Sequence, residues 1–200
     1  FILFIISYKV VMMNVNQQYY ILDNVLSMEE CLSLYHSLQE TSAWSLSRLS
    51  KKLANRNLGQ FSSFPGFNVE TNGEIHNEYF SGYFRSMMFR VKSIIKKEHG
   101  IRLPATIKRI HLGAKNSQSK TEFHVDSENE NAWTVLGFLN PVWDSKNGGE
   151  FFVENNKIEY KSARFVIFKS NLKHNGGFIT NEQLSNWRIS LNIILLDEDE

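Results

Sequence analysis

The sequence predicts a β-rich α+β fold, in which a sandwich or jelly roll occupies the second half of the chain and helices precede it. Three observations carry that expectation. Before about residue 104, apolar residues recur at helical spacing. From Thr106 onward they fall into short β-type runs separated by Asn, Gly, Ser and Lys turns. The chain has 200 residues, 42% of them hydrophobic, which is enough for one substantial core and points to a single domain. The formal net charge of +1 supplies no global field demanding a nucleic acid or a membrane surface as partner. The one cysteine, Cys31, excludes an intrachain disulfide and fits a reducing cytoplasm.

Taken in order, the chain opens with Phe1–Ile6, which is apolar but lacks a basic n-region and a small-residue cleavage site, so it makes a poor signal peptide. The run through Met13 is broken at Ser7, Tyr8 and Lys9 and is too short for a membrane span. Met12 or Met13 is the expected native start, which makes residues 1–13 a non-native extension. Tyr19–Leu22 reads as a strand. Ser27-Met28-Glu29-Glu30 is a capping box, flanked by a Leu26/Cys31 hydrophobic staple. Cys31, Leu34, Tyr35 and Leu38 then give an amphipathic helix to about Glu40, with His36 off the apolar stripe. Ser45–Gln60 is polar and carries a basic cluster, Arg48, Lys51, Lys52 and Arg56, read as a solvated surface or a lid over the open end of the fold. A longer helix is expected from about Asn77 to His99. Its core stripe is Phe80, Tyr83, Phe84, Met87, Val91, Ile94 and Ile95, and Gly100 is its C-cap. His76 and His99 flank this helix without a catalytic role. The expected strands beyond Thr106 include Trp133–Leu139, Glu150–Val153, Lys157–Tyr160, Phe165–Phe168 and Arg188–Leu196, with a hairpin-type turn at Asp144–Gly149. The final Asp197–Glu200 reads as a solvated tail.

One motif carries chemistry. His124-Val125-Asp126 places an imidazole and a carboxylate at i and i+2, which share a face if Glu122–Asp126 is extended. Two histidines and one carboxylate are the ligand set of a facial triad that leaves positions open on non-heme Fe(II). His174 supplies the second imidazole if the fold brings it close. Downstream, Arg188 and Ser190 are again i and i+2, so both can face one pocket while Trp187, Ile189 and Leu191 pack the other way. An arginine binds a carboxylate through paired charge-assisted hydrogen bonds, and a buried one needs such a partner. The plain alternatives are a chance H-x-D with an ordinary loop histidine, and an arginine in a structural ion pair.

The ordered motifs Arg109–Gly113, Glu122–Asp126, Thr134–Asn140, Trp143-Asp144, Gly148–Phe151, Arg164–Phe168, His174–Gly177 and Trp187–Leu191 resemble the catalytic domain of the Fe(II)/2-oxoglutarate dioxygenases, in their prolyl-4-hydroxylase-like branch. The likeness covers roughly residues 105–195. It implies a double-stranded β-helix (the family's jelly-roll, cupin-like form) over 105–196, with 14–104 as helical support. It also implies His124, Asp126 and His174 as iron ligands, and Arg188 and Ser190 as the holders of the distal carboxylate of 2-oxoglutarate. Fe(II), 2-oxoglutarate, O2 and ascorbate are the implied cofactors and co-reagents. Peptide or protein side chains, or small molecules, are the implied substrates, hydroxylated with release of succinate and CO2. The aspartate at position 126 favours hydroxylation, because related halogenases carry a small residue there.

The chain departs from the family at two places where a tyrosine is common. His111 can still donate a hydrogen bond to the cosubstrate, and it is also a rival metal ligand or a core histidine. Phe138 cannot donate. The polar stretch Ala114–Phe123 reads as an enlarged loop at the mouth of the site. Two other functions stay open on sequence alone: an oxidative dealkylase of nucleic acids, which the basic cluster would serve, and a metal-binding jelly-roll module without turnover.

Overall fold

The computed structural model describes residues 19–47, 64–119, 122–181 and 187–197. Helix α1 (Met28–Glu40) starts at Ser27, whose Oγ accepts from the Glu30 N–H at 3.1 Å while the Glu30 carboxylate accepts from the Ser27 N–H at 2.8 Å. The expected capping box is present, satisfying two N–H groups that a helix start otherwise leaves open. Helix α1 buries Cys31, Leu34 and Leu38 and leaves His36 exposed. Helix α2 (Glu78–His99) is capped by Asn77 and ends at Gly100, whose φ of 70° lies in the left-handed region that glycine enters without a Cβ clash. Phe80, Phe84, Met87, Val91 and Ile95 are buried along it, as the sequence spacing predicts.

Among the described residues, the strands form two antiparallel sheets. The larger has the order β1 (Tyr19–Leu22), β9 (Phe165–Lys169), β6 (Trp133–Phe138), β11 (Arg188–Leu195), β5 (Ile107–Lys115), β3 (Phe64–Thr71), β2 (Ser45–Ser47), with β4 (Glu74–Ile75) paired to β3. The smaller has the order β10 (His174–Gly176), β7 (Phe151–Val153), β8 (Asn156–Ile158). Strand alternation sorts side chains between two cores. Ile189, Leu191 and Ile193 of β11 point to one face of the large sheet and join the core formed with both helices. Leu136, Phe138, Val166 and Phe168 point to the other face and pack with Phe151, Val153, Ile158 and Tyr160 between the sheets. Each buried aromatic or aliphatic side chain of this kind contributes about 1.5–3 kcal/mol. On β11, Arg188, Ser190 and Asn192 share that second, inter-sheet side.

Several sequence expectations are corrected. Residues 14–104 are more than helical support, since β1 forms one edge of the large sheet and β2 and β3 extend the other. Strand β3 contains Pro65, Gly66 and Asn68, a composition that hides a strand; pairing with β5 overrides it. Asp144–Gly149 does not close a hairpin, because β6 and β7 lie in different sheets. Asp144 instead caps a 3-10 turn at Ser145–Asn147, accepting from the Lys146 N–H at 2.9 Å, and Gly148 and Gly149 turn at φ 71° and 82°. Strand β8 starts one residue early and stops at Ile158, because the Glu154–Asn155 turn pairs Val153 with Asn156. Strand β5 runs to Lys115, so the polar loop begins only at Asn116. Asp197 is not simply solvated: its carboxylate accepts from the Ala105 and Thr106 N–H groups at 2.7 and 2.9 Å. The apolar start with Met12 and Met13, and the basic cluster Arg48, Lys51, Lys52 and Arg56, lie outside the described residues. Among the described residues, no helix is long and apolar enough to cross a membrane.

Candidate metal centre

His124 and His174 meet in an isolated antiparallel bridge, each backbone N–H donating to the other's carbonyl at 3.0 and 2.9 Å. This bridge replaces the strand expected over Glu122–Asp126. The ladder stops there because the chain bends at once: Ser127 Oγ takes the Asn129 N–H and Asn129 Oδ1 takes the Asn131 N–H. Asp126 is fixed by donation of its N–H to the Ser170 carbonyl at 2.9 Å. The convergence predicted from H-x-D nonetheless forms. One ligand atom from each of His124, Asp126 and His174 lies within 4.8 Å of the others, a spacing that a single metal ion can bridge. His174 Nε2 is 3.5 Å from Asp126 Oδ2, and the two imidazole centroids are 4.3 Å apart.

Both imidazoles are set for metal binding by their own backbone. His124 Nδ1 is 3.0 Å from the Glu122 carbonyl oxygen, and His174 Nδ1 is 3.0 Å from that of Leu172. A carbonyl only accepts, so Nδ1 carries a proton in each ring and Nε2 is the nitrogen left to meet a metal. Burial pushes His174 below the ordinary histidine range, against the pull of Asp126, and so keeps the neutral, ligating form.

Asp126 is held on every side. Thr134 Oγ1 and Asn192 Nδ2 both donate to Oδ2 at 2.9 Å, and an Arg109 guanidinium nitrogen donates to Oδ1 at 3.2 Å. The same Arg109 nitrogen donates to Asn192 Oδ1 at 2.8 Å, and Ser170 Oγ lies 2.9 Å from Thr134 Oγ1. Burial alone would raise the Asp126 carboxyl. His174, Arg109, Asn192 and Thr134 outweigh it and hold the group below the usual carboxylate range, ionised at neutral pH. Sequence reading missed Thr134, Asn192 and Arg109. Asn192 continues the Arg188-x-Ser190 alternation, which was a usable signal; Arg109 and Thr134 become visible only through the register that sets β5 and β6 beside β11.

His111 stands outside the His124–Asp126–His174 cluster. Its Nδ1 lies 2.9 Å from Asn68 Oδ1, and the ring fits because Gly66 has no side chain: a Cβ there would stand 3.1 Å from His111 Cε1 and Nε2. Burial, with Arg109 assisting, pulls the His111 pKa down to about 4, so the ring is neutral. Phe138 is fully buried and stacks on Tyr160 with centroids 4.5 Å apart, and the Tyr160 hydroxyl donates to Asn140 Oδ1.

Arg188 is 1% exposed, at the start of β11. One terminal nitrogen donates to the Gly149 carbonyl at 2.5 Å and lies 3.5 Å from that of Glu150, while its Nε, although buried, has no partner. Among the described residues, no carboxylate forms an ion pair with it. Two glycines make its cradle. A Cβ on Gly149 would stand 3.0 Å from Arg188 Cδ, and one on Gly176 would stand 2.9 Å from Arg188 Nη2. Gly176 is two residues beyond His174 on β10, so the guanidinium lies roughly 7 Å along that strand from the metal ligand. Ser190 shares the inter-sheet side of β11, with Gly113 and Phe138 opposite it.

No protein-family model matches the chain, and no curated protein matches it in sequence. Solved structures do. A 2OG-Fe(II) oxygenase family oxidoreductase from Burkholderia pseudomallei superposes with a TM-score of 0.67 at 16% identity, covering 88% of this chain and 84% of that one. A prolyl hydroxylase from Trichoplax adhaerens, solved with a peptide of the hypoxia inducible factor oxygen degradation domain, gives 0.60 at 17%, covering 90% and 83%. The non-heme alpha-ketoglutarate-dependent epimerase SnoN of nogalamycin biosynthesis gives 0.57 at 12%, covering 90% and 78%. The chain has the fold of the 2-oxoglutarate/Fe(II) oxygenases. The strand-rich jelly roll and, among the described residues, its two flanking helices are thus as the sequence predicts.

Proposed function

We propose that this protein is an Fe(II)- and 2-oxoglutarate-dependent dioxygenase that hydroxylates a peptide or protein side chain, or a small molecule, and releases succinate and CO2. The observation that carries the reading is the pairing of two features on one short strand. A preformed His-Asp-His cluster stands at His174, and a buried arginine with an unpartnered Nε stands beside Gly176. The donor set, two imidazoles and one carboxylate, fits Fe(II) with coordination positions left open. A buried guanidinium with its Nε unpartnered fits the far carboxylate of a keto diacid.

When bound, Fe(II) with 2-oxoglutarate supplies the oxidising chemistry that activates O2. His124, Asp126 and His174 would hold the metal, with the Glu122 and Leu172 carbonyls fixing both rings. Thr134, Asn192 and Arg109 hold the Asp126 carboxylate ionised and oriented. Arg188, with Ser190 on the same side of β11, would hold the cosubstrate by its distal end. Phe138, Phe151, Val166 and Phe168 close the inter-sheet space against water. A single domain and a cytoplasmic setting, with its single cysteine reduced, belong to the same reading. Peptide and small-molecule substrates are both kept, because the similar structures include an enzyme solved with a peptide and one from nogalamycin biosynthesis.

The test is an anaerobic titration of the Fe(II)-loaded protein with 2-oxoglutarate, followed by the visible charge-transfer band. The expected result is a band in the wild type that is lost in His174→Ala and weakened in Arg188→Ala. Bound iron without a band would overturn the oxygenase reading.

A further inference from the structure

Helix α2 has a second face that neither the core nor the metal centre uses. Arg85, Phe89, Lys92 and Lys96 recur at i, i+4, i+7 and i+11 and form one stripe, apart from the buried stripe of Phe84, Val91 and Ile95. Beside it the chain returns through residues 101–107, and the two enclose a cleft of about 360 Å³. The floor is apolar, made by buried Met88, Leu103 and Ile107 with half-buried Ile101. The rim carries four cations, Arg85, Lys92, Lys96 and Arg102, and no carboxylate. Arg85 is paired with Glu70, and Lys92 Nζ donates to the Ala105 carbonyl at 3.0 Å. Among the described residues, neither Lys96 nor Arg102 has an ion-pair partner. Phe89 stands among these cations at 77% exposure.

We infer that this cleft docks an acidic peptide segment of another protein, which sets carboxylates against Lys96 and Arg102 and one apolar side chain on the floor beside Phe89. Charge complementarity selects the acid, because a rim of one sign attracts the opposite sign and rejects its own. The structure holds one instance of the fit. Asp197, just past β11, places its carboxylate on the Ala105 and Thr106 N–H groups at this same rim, and its charge opposes the burial that lowers the Lys92 pKa. The concave apolar floor selects a peptide over a nucleic acid, whose phosphates would engage the cations and leave the floor bare. It also selects a peptide over an anionic membrane, since a helix that lies in a bilayer surface presents a broad apolar face and this stripe has one aromatic residue. Phenylalanine and arginine around such a depression are residue types enriched at protein interfaces. The cleft lies on the helix side of the large sheet, whereas His174 packs on Phe151 and Phe168 in the inter-sheet core. The inference therefore stands apart from the oxygenase reading.

The experiment is fluorescence anisotropy with a labelled peptide of glutamates on either side of one leucine. Two control peptides replace the leucine by alanine or the glutamates by glutamine. The proteins are the wild type, Lys96→Glu, Arg102→Glu and Phe89→Ser, with Lys97→Glu as a charge-matched control on the same helix outside the cleft. The expected result is saturable wild-type binding that weakens with salt and falls about 10-fold or more in the three cleft variants and with both control peptides, the scale of an interface anchor. Lys97→Glu should bind as the wild type does. Absence of saturable binding would overturn the inference. An equal loss in Lys97→Glu would overturn it in favour of diffuse surface charge. Binding that ignores the leucine and Phe89 would leave only ion pairing and overturn it too. Phosphatidylserine vesicles that bind in place of the peptide, with the same dependence on Phe89, Lys96 and Arg102, would replace the peptide by a membrane surface.

Discussion

Strand β10 is three residues long, and its two ends are built on opposite principles. At His174 the protein supplies almost every partner itself. Both imidazole N–H groups have carbonyl acceptors, and the Asp126 carboxylate receives three donors. At Gly176 it leaves a donor unused: Arg188 is buried with an unpartnered Nε. On the proposed function, the difference follows from what each end would have to discriminate. A metal site has to hold its ligands in one orientation and protonation state before the ion arrives. A site for an anion gains selectivity by keeping buried donors unsatisfied, because a ligand without the matching carboxylate then leaves them so.

That contrast can be broken in order of expected effect. Removing a ligand, His174→Ala or Asp126→Ala, should lower Fe(II) affinity by at least 100-fold in anaerobic equilibrium binding, since a triad reduced to two ligands loses the site. Arg188→Met should weaken 2-oxoglutarate about 100-fold at unchanged metal affinity. It should also leave the melting temperature of the metal-free protein equal or higher, because a buried charge with an unpartnered donor has gone; a clear fall in melting temperature would show Arg188 to be structural. Thr134→Val and Asn192→Leu should each lower metal affinity 10- to 100-fold while 2-oxoglutarate binding at saturating metal stays near wild type.

The pH response gives a smaller effect. The folded His111 pKa is about 4 against 6.5 for the free side chain, so between those values the unfolded chain binds more protons. Stability should therefore fall as pH drops from about 6.5 toward 4, and His111→Gln should flatten that fall by on the order of 2 kcal/mol in urea unfolding. Ser190→Ala is the mildest change, expected to cost 2-oxoglutarate binding a few-fold, the value of one neutral hydrogen bond.

Much of this was legible in the sequence. The capping box at Ser27, the stripe of α2 and its Gly100 cap are local, because a helix satisfies its backbone within itself and its pattern is written at short spacing. The H-x-D and R-x-S pairs were legible for the same reason, since a two-residue period fixes a shared side whatever the strand is joined to. The failures share a cause as well. Strand β3 carries weak β propensity and exists because β5 offers a partner. The Asp144–Gly149 turn looks like a hairpin in sequence and becomes a link between sheets only because β6 and β7 join different ladders. His111 read as a rival ligand until Gly66 and Asn68 gave its ring another place.

The sequence by itself determined the residue types of the candidate metal centre, their side-sharing pairs, the helices and the β-rich class, all properties of residues a few positions apart. The tertiary structure decided which distant residues meet: His174 against His124, Arg109 and Thr134 on Asp126, and Lys115 beside Arg188. Strand register makes those choices, and register is set by long-range pairing and by the burial of one face against a particular core, neither of which has a local signature in the chain.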